Sequence, residues 1–312
     1  MTGRAKDAIR QLAYLTGYSK RRALARRCVR FLMFHDVGDP SYPLTLFGTQ
    51  LEYLSRSFEV CALPEAILRL RNDAMQGDEI VLTFDDGLEN HATRVYPMLR
   101  RLRLPASFFV CPGLVDSEEG IWTLETRARL AALPQARVDA WRREVGAPAA
   151  GGVESVIEWM KSLPVEACRR IVAALHGVVR SEVGGGGQRP TQRLMSWEQL
   201  RGLDPDLITI GSHSLSHPML PRLDAPELER EVTESRLLLE KQLKRKCPFF
   251  CYPDGAHDSR VIELARRHYD AALTATDGYA LPSDDLFTLP RLAAARSLPR
   301  LAWQLGASPT PW

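Results

Sequence analysis

No stretch of this chain is apolar enough to cross a bilayer. About 18 largely uninterrupted apolar residues are required, and the most strand-like run, Val29 to Phe34, is broken by Arg30. A secretory leader is also missing from the opening residues. Their longest uncharged run, Gln11 to Ser19, holds four polar residues, and no small-residue cleavage site follows it. The six cysteines (Cys28, Cys61, Cys111, Cys168, Cys247, Cys251) include no CxxC pair. Cys111 and Cys251 fall within apolar runs, where a buried free thiol is the default. These absences predict a soluble protein of a reducing, cytoplasmic compartment. Disorder is excluded by composition, with 45% hydrophobic and 25% charged residues.

Net positive charge is concentrated at one end of the chain. Residues 1–30 carry nine Lys/Arg against the single acid Asp7, whereas the whole protein is only +3, so the remainder is net acidic. A general nucleic-acid-binding body is excluded on that ground. Ala5, Ile9, Leu12 and Ala13 lie at helical spacing before a Gly17–Tyr18 break, and a second basic helix is expected from an N-cap at Ser19. Such an arm is either loosely packed on the body or laid on an anionic membrane surface.

Within 312 residues, one large α/β domain with insertions is the expectation. Short, nearly continuous apolar runs at Val29–Phe34, Glu79–Phe84, Ala106–Val110, Leu207–Ile210, Phe249–Tyr252 and Ala271–Thr274 read as buried strands. Helical patterns at Gln50–Phe58, Pro64–Arg71, His91–Leu102, Ala225–Leu243 and Ser259–His268 alternate with them. This alternation predicts a parallel sheet or barrel of βα units. A mainly helical insertion, about residues 120–195, ends in the Gly184–Gly187 tract. The expected organisation is therefore a basic arm over 1–28, a catalytic domain over 29–295 and a tail over 296–312.

In such folds chemistry gathers where strands end. Four predicted strands end in His35–Asp36, Asp85–Asp86–Gly87, Gly211 to Pro218 (GSHSLSHP) and Pro253–Asp254–Gly255. His213 and His217 are four apart on a Gly- and Pro-bounded segment, so one turn can aim both imidazoles at a single point. Asp86 is the carboxylate that would complete a two-histidine, one-carboxylate metal set with open positions. Its neighbour Asp85 is then free to act as a general base, and His35 as a general acid. The bland alternatives are a polar turn whose histidines cap backbone groups, and an aspartate that N-caps the helix near His91.

TFDDG (Thr83 to Gly87) and SHSLSHP (Ser212 to Pro218), with FFCYPDG (Phe249 to Gly255) and LMFHDVGDP (Leu32 to Pro40), resemble motifs of the polysaccharide deacetylases, carbohydrate esterase family 4. The resemblance covers roughly residues 29–295. It implies a distorted (β/α) barrel carrying a helical insertion. It also implies Asp85 as catalytic base and Asp86, His213 and His217 as ligands of a divalent metal, zinc by default. His35 resembles the histidine of the family's leucine-x-histidine motif, here at the N-terminal end as in circularly permuted members, with Met33 in the leucine position lining the acyl pocket. In the third motif, Phe250 stands where an arginine is usual and Asp254 where a tyrosine is usual. Tyr252 and Pro253 would border the substrate, and the Asp254 N–H would serve the oxyanion hole. Arg291, in Leu289–Pro290–Arg291, is the candidate for the missing arginine, against the alternative of a surface residue.

The resulting expectation is a metal-dependent hydrolase that removes the N-acetyl group from an amino sugar of a glycan or glycan precursor, in exopolysaccharide or cell-envelope biosynthesis. Lipid-linked sugars suit the basic arm. The rivals are O-acetyl esterase or deformylase activity, a non-haem iron oxygenase, and a degenerate carbohydrate-binding protein. Trp197 and Trp303 are either core residues or sugar-stacking platforms.

Overall fold

The computed structural model describes residues 3–183 and 193–307. The Gly184–Gly187 tract and the last residues of the expected tail lie outside the described residues. Among the described residues there are eight parallel strands: β1 (Arg30–Phe34), β2 (Glu59–Val60), β3 (Glu79–Phe84), β4 (Ala106–Val110), β5 (Ile208–Ser212), β6 (Phe249–Cys251), β7 (Ala271–Asp277) and β8 (Leu289–Ala293). β1 pairs with both β8 and β3, which closes seven strands into a barrel, and the two-residue β2 adds to β3. Thus a (β/α) barrel is what the alternating pattern produces.

Strands buried on both faces are largely apolar, and β3 is buried throughout, its two polar residues being partnered: Glu79 by Arg69 at 3.1 Å and Thr83 by the Leu32 carbonyl at 2.9 Å. Successive residues serve different clusters: Phe31, Val81, Phe109, Phe249 and Leu273 pack together, while Leu32, Leu82, Phe84, Phe108 and Ile210 belong to another. This period of two also aims the site. Asp85 lies four residues beyond Val81 and Arg291 two beyond Leu289, so both continue the face occupied by that first cluster.

Helices α1 (Gly3–Leu15) and α2 (Tyr18–Leu24) precede the barrel. α3 (Leu44–Ser57), α4 (Leu63–Arg71) and α5 (Tyr96–Leu102) surround its first strands. The insertion holds four helices, α6 (Trp122–Ala132), α7 (Gln135–Val145), α8 (Val153–Ser162) and α9 (Val165–Val183). They enclose a small core of their own around Leu130, Trp141, Val156 and Met160. α10 (Trp197–Arg201), α11 (Ala225–Leu243), α12 (Ser259–His268) and α13 (Leu298–Gln304) complete the shell.

Several expectations are corrected. The helix read over His91–Leu102 begins as a wide π turn, His91–Val95, and becomes α-helical only from Tyr96. Pro97 has no N–H to donate, which disrupts the regular ladder there. Ser19 is not an N-cap: α2 starts at Tyr18 after Gly17, whose φ is 70°, and Ser19 is buried within the helix. β8 escapes an apolar-run reading because Pro290 and the buried Arg291 interrupt it. The expected tail instead forms α13, and Leu301 and Leu305 join the core beside Ala23.

Arg30 ties α2 and α13 to the barrel. Its buried guanidinium donates to the carbonyls of Leu305 (2.7 Å), Gly77 (2.8 Å) and Ala23. The ends of α2 and α13 are thereby tied to the start of β1 by a cation that adds a donor to the Ala23 carbonyl, already bonded by the Arg26 N–H at 3.1 Å, and supplies one to that of Leu305.

Candidate active site

Phe34 and Phe84 are in register, so the residues that follow them emerge side by side. The Asp85 N–H donates to the Phe34 carbonyl at 3.0 Å, and His35 Nε2 stands 3.9 Å from Asp85 Oδ2. The two differ in exposure: the Asp85 side chain is buried, whereas that of His35 is 52% exposed. A proton acceptor shielded from solvent thus lies next to an imidazole open to it.

Arg291 grips Asp85 from β8. Its Nη1 and Nη2 donate to Oδ1 and Oδ2 at 2.8 and 2.7 Å, while Nε donates to the Thr274 carbonyl at 2.7 Å. Nη1 also reaches the Thr83 hydroxyl, at 3.2 Å. Arg291 is buried and is not a surface residue. Burial by itself would favour the neutral acid, but the guanidinium outweighs it and holds Asp85 well below the usual carboxylate range. Cys251 Sγ lies 3.7 Å from Asp85 Oδ1, and burial keeps this thiol protonated.

The second carboxylate faces the histidines. Asp86 Oδ1 is 3.6 Å from His213 Nε2 and 3.5 Å from His217 Nε2, and one donor atom from each residue lies within 4.8 Å of the others. His213 Nδ1 is 2.8 Å from the Cys251 carbonyl, which can only accept, so Nδ1 carries the hydrogen. Burial pushes the His213 pKa down to about 4, so its Nε2 is a bare lone pair at neutral pH. A lone pair aimed at a carboxylate oxygen is repulsive unless a cation sits between them. The donor set therefore fits a divalent ion, with the Cys251 carbonyl fixing the ring as an outer partner.

Holding these groups requires unusual backbone. Asp86, Ser214, His217 and Asp254 have φ of 75°, 61°, 63° and 53°, the left-handed region that non-glycine residues avoid. The histidine loop is held from several directions. Buried Glu231 on α11 accepts the N–H groups of Leu215 and Ser216 at 2.9 Å each, together with the Ser216 hydroxyl. The Ser214 hydroxyl accepts the His217 N–H at 3.0 Å, and Trp122 Nε1 donates to the His217 carbonyl at 3.1 Å.

The remaining expected residues are placed as follows. Met33 is half-buried at the end of β1, one residue short of Phe34. Pro253 is buried in the turn after β6, and the left-handed Asp254 accepts an ion pair from Lys161 of the insertion at 2.9 Å. Tyr252 does not border an open cleft: its buried hydroxyl donates to the Phe287 carbonyl at 2.9 Å and its ring packs on Phe250. Alternation along β6 turns it away from Cys251 and Asp85. Trp303 is half-buried in α13, with the Arg22 guanidinium 5.2 Å from its ring. Trp197 packs partly buried against the core.

A model of the family described as polysaccharide deacetylase matches residues 72–269, more than half of the chain. The chain belongs to the polysaccharide deacetylase family. It is accordingly a hydrolase that removes acyl groups from carbohydrate. No curated protein sequence matches it. Among solved structures it is similar to the Streptococcus pyogenes deacetylase PplD in complex with acetate, at 17% identity and a TM-score of 0.61 over 90% of this chain and 98% of that one. It is also similar to IcaB from Ammonifex degensii, at 18% identity and a TM-score of 0.59, again covering 90% and 98% of the two chains. The deacetylase domain of BpsB from Bordetella bronchiseptica gives 17% identity and a TM-score of 0.53, covering 86% of this chain and 96% of that one. At these identities the likeness speaks for the fold.

Met33, His35 and Arg291 lie outside the matched span and reach the site through β1 and β8. Sequence reasoning missed the supporting residues: Glu231, Lys161 and His91. His91, wholly buried against Phe84 and Phe108, holds the backbone of His35, its Nε2 being 2.9 Å from that carbonyl. Glu231 occupies an inward position of α11, where an acid among Leu228, Val232 and Leu239 was the available signal.

Proposed function

We propose that this deacetylase is a metal-dependent N-deacetylase acting on N-acetylated amino sugars within a glycan of the cell envelope or an exopolysaccharide. The observation that carries the reading is the division of labour between adjacent carboxylates. Asp85 is locked to Arg291 and faces His35, while Asp86 faces two imidazoles. Asp86, His213 and His217 would hold the ion, and one carboxylate with two imidazoles suits zinc among the divalent metals. Such an ion supplies positive charge that polarises an acyl carbonyl and acidifies a water.

The chain's own residues divide the proton transfers. Asp85, kept ionised by Arg291, accepts the proton of the attacking water. The Asp254 N–H is the donor for the oxyanion that develops on the acyl oxygen as water adds to the acyl carbon. His35, open to the mouth, delivers a proton to the departing amine, so that amide cleavage yields acetate and a free amino sugar. Met33, in the leucine position of the family's motif, would line the acyl pocket and limit the acyl group to a small one.

The test is acetate release from N-acetylglucosamine oligomers, with and without chelator, alongside Asp85→Asn. Release that is chelator-sensitive and abolished in Asp85→Asn is the expected result. Release unaffected by chelator would overturn the metal requirement, and release from O-acetylated but not N-acetylated sugars would reassign the substrate.

A further inference from the structure

Helix α1 is mounted inside out. The face turned to the barrel is polar: Asp7 pairs with Arg300 of α13 at 2.7 Å, Arg10 pairs with Asp7, Tyr14 meets Tyr53 edge-on, and only Ala13 is buried. Its apolar stripe (Ala5, Ala8, Ile9, Leu12 and Leu15, at helical spacing) faces outward. Leu12 and Leu15 are 63% and 69% exposed, and Tyr18 and Leu24 of α2 continue the surface. Five of the eight large hydrophobic residues exposed among the described residues thus come from sixteen consecutive positions of the arm. Scattered exposed leucines are ordinary; this clustering is not.

The same helices are basic. Apart from buried Arg30, the arm carries eight Lys/Arg against Asp7, and Arg4, Lys6 and Lys20 have no ion-pair partner among the described residues. An apolar stripe bordered by cations matches the boundary of an anionic bilayer, where acyl chains take the stripe and headgroups the charges. A second copy of the chain would bring two strongly basic arms together, and a polyanion without apolar surface would leave the stripe in water.

We propose that α1 and α2 form an in-plane docking surface for an anionic lipid bilayer. Arg30, at the start of β1, grips the end of α2, whereas His35 leaves the opposite end of the same strand. The arm is therefore fixed at the foot of the barrel. A docked molecule keeps its catalytic mouth clear of the lipid, open to a saccharide chain rather than to headgroups. The inference does not depend on which acyl group is removed.

Co-sedimentation of the full chain at low salt with phosphatidylcholine vesicles, and with vesicles also containing phosphatidylglycerol, tests it. Binding to the anionic vesicles should exceed binding to the neutral ones by at least about tenfold. The double variant Leu12→Glu/Leu15→Glu should lose that binding while its melting temperature and acetate release stay unchanged, since both side chains face solvent. Wild-type protein that remains in the supernatant with anionic vesicles overturns the proposal. So does a concentration-dependent dimer, seen by sedimentation velocity and abolished by the same double variant, because it assigns the stripe to a second copy.

Discussion

Arg291 Nη2 lies 2.7 Å from Asp85 Oδ2, and Nη1 lies 2.8 Å from Oδ1, a two-pronged contact buried between β8 and β3. Residues 206 positions apart thereby set the ionisation and the aim of the proposed base. Lysine keeps the charge but cannot span both oxygens while also bonding the Thr274 carbonyl. Arg291→Lys should therefore lower kcat on the order of 10²-fold with little change in KM, as expected for a misaimed base. Steady-state kinetics checks this, with an unchanged circular-dichroism spectrum as the control for folding.

Glu231 acts on the metal site only through the loop it ties down. Glutamine retains one acceptor oxygen but turns an NH2 toward backbone donors. Glu231→Gln should weaken metal affinity about 10- to 100-fold, the usual cost of losing an outer partner. Calorimetric titration of zinc into metal-free protein measures it.

His91 predicts a pH dependence of stability. Burial pushes its pKa down to about 4, below the ordinary 6.5, so the unfolded chain binds this proton first. Stability is then lost as pH falls from about 6.5 toward 4, by up to about 3 kcal/mol from this residue. The difference between wild type and His91→Gln in urea-melt stability, measured across that range, should show the slope shrinking in the variant.

Arg30→Met should loosen the ends of α2 and α13 from the barrel. Leaving the Gly77 and Leu305 carbonyls without their donor, and removing one from Ala23, costs on the order of 2 kcal/mol. A lower melting temperature should be accompanied by faster tryptic cleavage within residues 20–27, while vesicle binding by the intact arm persists.

Much of this protein was legible in its sequence, for physical reasons. Strands buried on both faces must be apolar throughout, so β1, β3, β4 and β5 announce themselves, and the residues just after them must point at the rim. That rule puts His35, Asp85, Asp86, His213 and His217 among the strand-end residues, and the motifs LMFHDVGDP, TFDDG and SHSLSHP single them out. What stayed hidden depends on contacts across the barrel. β8 hides behind Pro290 and Arg291, because an arginine reads as surface until Asp85 is seen opposite it. Glu231 and His91 look like ordinary helix residues until the loop and the carbonyl they hold are placed beside them.

The arm shows the division most sharply. The amino-acid sequence by itself determined that the segment ahead of β1 is basic and carries amphipathic helical spacing, because spacing and charge are local properties. Only the tertiary structure decided which face of α1 meets the barrel. Asp7 finds Arg300, and Arg30 draws in the end of α2, so the polar side turns inward and the leucines are left outside. Helical spacing sorts residues into faces, but a partner distant in sequence selects which face is covered.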